Sequence, residues 1–389
     1  MSVLLYCHSL IDCTGREPMR DVAVCIEDGR IKSIGPREQG RATDSAQIIE
    51  LGDMTMLPGI IDCHDHFCID IGDEEAQGAE PAEYLAFVCA KNARNILRAG
   101  VTTVRSVGEK SLLGPMVRRA ISEDIIQGPR VITSGRLIVR TGGHGWFLAH
   151  EADGPDGLRA AVREEVKRGV DLIKIMVSGG VSTSGSDVLA PELTDEEVYA
   201  VVDEAHRRGR KVAAHGHGGP GVAAAVRAGV DSIEHGIFLT QEDVDLMIEH
   251  GTYLVVTAGV FHEILHSPQV PAFMKAKLAD AEAGFMRMLE STVGSGLKVA
   301  LGTDENHGKV YYEMQILRRA GYTPMDALLA GTRNAADLCG LANDIGTLEP
   351  GKFADLIAVK GDPLADPGVL ADVPFVMKGG KIEFDRRAG

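Results

Sequence analysis

Residues of metal-ligand type recur along this chain, each placed at the end of an apolar segment. In His64-Asp65-His66, alternation along an extended backbone places the two imidazoles on one face, where both can bind one ion. Three later apolar segments also end in residues that can bind metal: His215-Gly216-His217-Gly218, Glu234-His235-Gly236 and Gly302-Thr303-Asp304. Each segment alone is more often a satisfied polar strand end, but the set as a whole predicts a metal centre.

Lys174 is the most unusual of these residues, because it stands inside the apolar segment Leu172-Ile173-Lys174-Ile175-Met176-Val177. Burying an ammonium group is costly, so the side chain needs a partner or another charge state. It can extend to solvent or pair with a carboxylate. Alternatively, burial lowers its pKa until the neutral amine captures carbon dioxide, giving a carbamate anion that can bridge two cations. The residues alone leave both possibilities open.

The segments that position these residues alternate between apolar strands and amphipathic helices from Pro58 onward. This alternation is typical of parallel βα units. The eight predicted strands are 59–62, 101–104, 131–133, 172–177, 211–214, 231–234, 253–256 and 298–302. Eight units predict an α/β fold with a (β/α)₈ TIM barrel, in which the side chains at the C-terminal strand ends share one mouth. The candidate ligands belong to five of these strands.

Both ends of the chain contain short strands instead of βα units. Near the C-terminus, Gly379-Gly380 separates two such strands and predicts a tight hairpin turn. We expect residues 1–56 and 346–389 to form one small β-sandwich from both chain ends, and residues 57–345 to form the barrel.

Composition excludes several classes of partner. The formal charge of −16 argues against nucleic acid or an anionic membrane, since both need a basic face. The N-terminus lacks a cationic region followed by a long apolar one, and no segment predicts a membrane span. The seven cysteines are odd in number and stand mostly in apolar segments, which favours reduced thiols. We therefore expect a cytoplasmic protein that acts on a small molecule.

The candidate ligands resemble the metal-ligand pattern of the amidohydrolase superfamily. The match in type, order and spacing covers His64-x-His66, Lys174, His215, His235 and Asp304. Further stretches resemble the imidazolonepropionase-related and Xaa-Pro or Xaa-Arg/Lys dipeptidase-like branch of the superfamily. They are Leu57-Pro58-Gly59-Ile60-Ile61-Asp62, Gly100-Val101-Thr102-Thr103-Val104-Arg105, Gly142-Gly143-His144-Gly145, Ile233-Glu234-His235-Gly236 and Gly351-Lys352-Phe353-Ala354-Asp355-Leu356.

The resemblance implies a centre of two divalent ions, most often zinc, bridged by a carbamate on Lys174. His64, His66 and Asp304 would bind the buried ion, and His215 and His235 the outer one. A shared hydroxide would attack an amide carbonyl, with Asp304 accepting its proton and passing it to the leaving amine. The resemblance also suggests a homo-oligomer.

His144 and His217 are the positions that commonly face the substrate in this branch. Donors there favour a dipeptide or an N-acyl amino acid with a free carboxylate. Two stretches depart from the branch and are expected to line or approach the pocket: Ser106, where many relatives have aspartate, and the polar run Glu305-Asn306-His307 after the base. Because of these two departures, the resemblance does not determine the identity of the substrate.

Related chemistries are tested by single positions. Cys68 stands where dihydroorotase-like enzymes place a carboxylate-binding arginine, and Gly218 stands where deaminases place a glutamate, so both activities are disfavoured. A barrel that only binds metal or ligand is disfavoured by the complete ligand set with its base. The main alternative is hydrolysis of a cyclic amide, lactone, carbamate or urea at the same binuclear site.

Overall fold

The structure is a computed structural model that describes residues 2–40, 46–279 and 281–387. The predicted sandwich thus includes positions outside the described residues, namely Met1, 41–45 and 388–389. The predicted α/β fold, a (β/α)₈ barrel with a small β-sandwich built from both chain ends, is confirmed. Its division at residues 56 and 346 stays a prediction.

In the described residues the strands are β1 (Ser2–Leu10), β2 (Met19–Glu27), β3 (Arg30–Pro36), β4 (Gln47–Glu50), β5 (Thr55–Pro58), β6 (Ile60–Asp65), β7 (Val101–Ser106), β8 (Arg130–Thr133), β9 (Leu137–Val139), β10 (Ala149–Glu151), β11 (Leu172–Met176), β12 (Lys211–Gly216), β13 (Ser232–His235), β14 (Tyr253–Val256), β15 (Val299–Leu301), β16 (Leu356–Val359), β17 (Phe375–Lys378) and β18 (Lys381–Asp385). The α-helices are α1 (Glu74–Ala79), α2 (Ala82–Arg98), α3 (Leu113–Ser122), α4 (Gly154–Lys167), α5 (Asp195–Arg207), α6 (Pro220–Ala228), α7 (Gln241–His250), α8 (Ala258–His266), α9 (Ala272–Leu278), α10 (Ala281–Thr292), α11 (Val310–Arg319), α12 (Pro324–Ala330) and α13 (Arg333–Leu338).

The sheet of the chain ends follows the order β18-β17-β16-β5-β1-β2-β3, with β4 beside β1. Strand β16 runs antiparallel to β5, so that Ile357 lies opposite Leu57 and the two chain ends join in one sheet. Alternation along these strands directs a separate apolar core inward, including Leu5, Met56 and Phe375. In the predicted turn between β17 and β18, Gly379 and Gly380 both adopt positive φ, which residues with a Cβ rarely do.

The barrel consists of the parallel strands β6, β7, β8, β11, β12, β13, β14 and β15, which correspond to the eight predicted strands. The backbone amides of Thr303 and Asp304 donate to the carbonyl of His64 at 3.0 and 2.7 Å, which joins the loop after β15 to β6. Asp171 N donates to the Thr133 carbonyl at 2.8 Å and links β8 to the start of β11. Barrel closure therefore brings the first and last candidate ligands side by side.

Two further strands, β9 and β10, were not predicted from the sequence. Each is three residues long, too short for a period-two pattern to be distinguished from a loop. They flank the segment that contains His144, and β9 pairs with β11 through Ile138 and Ile175. This pairing attaches the histidine loop to the strand of Lys174.

The predicted start of α5 is confirmed as a capping box. The Thr194 hydroxyl accepts from Glu197 N, and the Glu197 carboxylate accepts from Thr194 N at 2.9 Å. Among the described residues all seven cysteines are free, and the sulfurs of Cys63 and Cys339 lie 3.9 Å apart. No helix in these parts of the chain has the length and apolar character needed to cross a bilayer.

Candidate active site

The six predicted ligands converge at the C-terminal mouth of the barrel and are all buried. They come from five barrel strands or the loops directly after them: His64 from β6, His66 from just after β6, Lys174 from β11, His215 from β12, His235 from β13 and Asp304 from the loop after β15. Two of them, His235 and Asp304, have left-handed backbones with φ of 71° and 58°. Such conformations are strained for residues with a Cβ and are concentrated at functional sites.

His64, His66 and Asp304 form a compact donor set. One ligand atom from each lies within 4.8 Å of the others. Oδ1 of Asp304 is 3.7 Å from Nε2 of His64 and 3.5 Å from Nε2 of His66. Burial lowers the pKa of His66 to about 4 and that of His64 well below its usual range. Neutral imidazoles beside a carboxylate are a donor set that suits a divalent metal ion.

Each of the two histidines at the end of β6, His64 and His66, has one ring nitrogen engaged, which orients the other ring nitrogen. Nδ1 of His66 lies 2.7 Å from the Gly108 carbonyl, which can only accept, so Nδ1 carries the proton and Nε2 has the lone pair. Nδ1 of His64 contacts Oε2 of Glu234 at 2.8 Å. Arg105 in turn donates from Nη2 to both oxygens of Glu234. Both Nε2 atoms are thereby left free for a ligand.

Sequence reasoning did not assign a role to Arg105 and Glu234. The signal was present, because both are charged residues at or next to the ends of predicted barrel strands. The structure shows that these two residues satisfy each other, with Arg105 also donating to the Cys63 carbonyl and the Ser232 hydroxyl. Of the three buried charged residues Arg105, Glu234 and Lys174, the last is therefore the one whose charged group lacks a hydrogen-bond partner among the described residues.

Lys174 is 1% exposed, and its Nζ has no hydrogen-bond partner among the described residues. Burial lowers the pKa of Lys174 to about 8, against the opposing fields of Glu234 and Asp304. The two ordinary explanations, a side chain that extends to solvent and one hydrogen-bonded to a carboxylate, both fail. A buried amine that makes no hydrogen bond in the described chain and lies close to side chains of metal-ligand type fits a group that becomes a ligand after carbamylation.

His215 and His235 lie side by side, with ring centroids 4.7 Å apart. Nδ1 of His235 contacts the Thr257 hydroxyl at 2.7 Å and lies 3.7 Å from Oδ2 of Asp304. Nε2 of His215 donates to the Gly179 carbonyl at 3.2 Å, which leaves its Nδ1 as the lone-pair nitrogen. Burial lowers the pKa of both rings well below the usual range. This second neutral pair fits the predicted outer ion.

A small cavity opens above these residues. Its lining residues are Glu74, His144, Val181, Ser182, His215, His217, His235, Phe261, Ile264, Asp304 and Glu305. Both predicted substrate-binding histidines, His144 and His217, therefore face the same space as Asp304. His144 contacts the Thr183 hydroxyl at 2.9 Å through Nδ1, whereas neither ring nitrogen of His217 has a partner in the described chain.

Several lining residues had no sequence signal. Glu74 belongs to a six-residue helix, and Phe261 and Ile264 belong to α8, where they look like ordinary core positions. Their approach to the cavity depends on how the loops after β6 and β14 fold back over the barrel. Motif reasoning cannot place such residues.

Of the two unusual stretches, only Glu305 lines the cavity. Ser106 instead donates to Glu109 at 2.8 Å, is fully buried and does not line the cavity. His307 bonds Asp65 at 2.9 Å and the Ile69 carbonyl at 2.9 Å, which fastens the loop after β15 to the loop after β6. The run after Asp304 is therefore partly structural.

Comparison with known proteins places the chain in one family of hydrolases. The sequence model of the Amidohydrolase family matches residues 55–383. The chain is 32% identical to ochratoxinase from Aspergillus niger over 418 residues, covering 97% of this chain and 86% of that protein. It is 26% identical to imidazolonepropionase from Paracoccus denitrificans over 363 residues, covering 86% of each.

Among solved structures, a Xaa-Pro dipeptidase with bound methionine in the active site superposes with a TM-score of 0.90. The two chains are 33% identical, and the match covers 98% of this chain and 99% of the dipeptidase. The resemblance to the imidazolonepropionase and Xaa-Pro dipeptidase branch is thus confirmed.

Proposed function

The chain belongs to the amidohydrolase family, and on that premise we propose that it hydrolyses the amide bond of a small substrate, a dipeptide or an N-acyl amino acid, at a centre of two divalent metal ions. One observation supports this most strongly. The amine of Lys174 is buried without a hydrogen-bond partner among the described residues, and it lies close enough to four histidines and an aspartate of metal-ligand type to interact with them electrostatically. The similarity to a Xaa-Pro dipeptidase favours dipeptides among the candidate amides.

In this proposal His64, His66 and Asp304 bind one ion, His215 and His235 bind the other, and Lys174 bridges them as a carbamate. The Nζ lone pair forms a bond to the carbon of carbon dioxide, and a proton leaves the nitrogen, so that a neutral amine becomes an anion. When bound, zinc ions lower the pKa of a water molecule and polarise the scissile carbonyl.

Asp304 is the proposed proton shuttle. Its carboxylate lies within 3.7 Å of imidazole nitrogens of His64, His66 and His235 and also faces the cavity, so one side chain reaches both the metal ligands and the substrate space. It accepts the proton of the attacking water and donates it to the leaving nitrogen. His144 and His217 donate to the carboxylate of the substrate.

The experiment combines metal analysis with a substrate panel. The purified protein is expected to contain two zinc ions per chain by elemental analysis and to hydrolyse members of a panel of Xaa-Pro and Xaa-Arg dipeptides and N-acyl amino acids. Lys174→Ala should lose metal and activity together, whereas Lys167→Ala, an exposed lysine on α4, should retain both. Full metal content and activity in Lys174→Ala would refute the bridging role.

The same panel tests the alternative activity. Lactones, cyclic amides, aryl carbamates and ureas should be hydrolysed more slowly than the best dipeptide. Faster turnover of any of them would replace the proposed substrate while leaving the metal centre intact. A cytoplasmic location and a homo-oligomeric assembly stay predictions from the sequence.

A further inference from the structure

We propose that Glu74 and Glu305 form a subsite for the cationic amino group of a zwitterionic dipeptide, a subsite that rests on the proposed hydrolysis of small amides. Both carboxylates line the cavity that contains Asp304, and they reach it from different elements. Glu74 lies on α1, in the loop region after β6, and Glu305 follows the last barrel strand.

The charges around the cavity are one-sided. Three of its lining residues are carboxylates, and none is lysine or arginine. The nearby Lys277 is already engaged, since its Nζ donates to the carbonyls of Gly180 and Thr183 at 2.9 and 2.7 Å. Asp304 is accounted for by the metal centre, and Glu74 and Glu305 are the two cavity carboxylates that the proposed metal ligands do not include. Carboxylates at a cavity wall can pair with a cationic group of a ligand.

Both carboxylates lie on segments that other contacts position. Glu74 is partly buried at the cavity, which Ser182 from the loop after β11 also lines. Glu305 is 7% exposed and directly follows Asp304, whose backbone amide is bonded to the His64 carbonyl. The two carboxylates are therefore parts of the cavity wall, and they are already oriented before a ligand group binds.

A separate observation indicates the other end of the ligand. His217 is 1% exposed and lines the same cavity, yet neither of its ring nitrogens has a partner among the described residues. A buried imidazole is normally hydrogen-bonded, so an unpaired one facing a cavity points to a ligand group. Together with His144 it offers donors for an anionic group. One cavity thus presents donors and carboxylates at the same time, which is the complement of a zwitterion.

Part of the cavity wall is apolar. Phe261 and Ile264 supply an apolar surface for one side chain. Acylation of the amino group removes its charge and adds atoms, so N-acyl derivatives should fit this subsite poorly. The subsite thereby distinguishes between the two substrate classes of the proposed function.

The test compares the most active dipeptide of the panel with its N-acetyl derivative, using the zinc-loaded protein. The wild type should prefer the free amine in kcat/KM by about tenfold or more, as expected for loss of a close charge pair. Glu74→Gln and Glu305→Gln should each lower that ratio toward one. Glu75→Gln, the neighbouring glutamate that does not line the cavity, is the matched control and should keep the wild-type ratio.

Zinc content and thermal stability are measured for every variant. A wild-type ratio near one, or a ratio that survives in both glutamine variants, would overturn the subsite alone. Loss of zinc from Glu305→Gln would also overturn it, because that glutamate would then support the metal. If Glu305→Gln does not fold, Glu74→Gln decides the question. Hydrolysis of neither the dipeptide nor its acetyl derivative would overturn the proposed function, and the subsite with it.

Discussion

Oε2 of Glu234 lies 2.8 Å from Nδ1 of His64, so a carboxylate at the end of β13 orients a candidate ligand on β6 across the barrel. The same carboxylate accepts two bonds from Arg105 on β7, at 2.8 and 2.9 Å. This buried triad links three strands and determines which nitrogen of His64 faces Asp304.

Glu234→Gln should weaken metal binding and destabilise the fold. The variant leaves Arg105 without its buried anion, a change that typically costs ~3–5 kcal/mol, and weakens the partner of a ligand histidine, which typically costs 10–100-fold in metal affinity. Competition with a zinc chelator and thermal unfolding measure the two effects. Glu263→Gln, which removes the surface pair with Lys309, should change stability by no more than about 1 kcal/mol. Equal behaviour of the two variants would contradict the role given to Glu234.

Lys174→Met should stabilise the metal-free protein while abolishing activity. The substitution replaces a buried amine that has no hydrogen-bond partner with an apolar chain of similar length, and an unpaired buried polar group costs about 1–3 kcal/mol. Urea unfolding of the zinc-free protein measures the gain, with Lys167→Met on the exposed face of α4 as the control. A clear loss of stability in Lys174→Met would show that the amine has a stabilising partner.

His307→Gln should reduce stability most strongly at neutral and mildly acidic pH. Burial by itself lowers the pKa of His307, but Asp65 and Asp70 outweigh it and raise the pKa to about 10. Because the pKa of His307 is higher in the folded than in the unfolded protein, its ion pairs stabilise the fold. This stabilisation is complete below the pKa of the unfolded state, ~6.5, and is lost as the pH rises through about 10. The difference in Tm from the wild type should therefore shrink between pH 7 and pH 10. His250→Gln, on the exposed end of α7, serves as control, and a difference in Tm that does not change with pH would refute the ionic role of His307.

Gly302→Ala should disturb both barrel closure and metal binding. A Cβ at this position would lie 2.4 Å from Cβ and 2.9 Å from the backbone nitrogen of His64, with no flexible side chain to give way. We expect a loss of ~1–3 kcal/mol in unfolding free energy and reduced zinc content. Gly284→Ala in α10 has only the end of Arg287 nearby and should be neutral or stabilising by up to about 1 kcal/mol. Similar effects of the two substitutions would show that close approach at Gly302 is unimportant.

Much of the architecture was predictable because it depends on local patterns. All eight barrel strands match predicted segments, and the cap at Thr194 and the turn at Gly379-Gly380 follow from side-chain chemistry and backbone freedom. Strands β9 and β10 were missed because three residues do not reveal a period. The orientation of Ser106 has a different cause, since a polar side chain at a strand end can turn toward a neighbour such as Glu109 instead of the cavity.

By itself, the sequence determined the set of metal-ligand residues, the barrel that positions them and the anomaly of Lys174, because residue type and strand periodicity are local properties. Only the tertiary structure decided that Arg105 and Glu234 satisfy each other while Lys174 Nζ has no partner in the described chain. It alone brought Glu74 and His217 to one cavity. These relations join residues on different strands and loops, and such distances arise only when the barrel closes and its loops fold over the mouth.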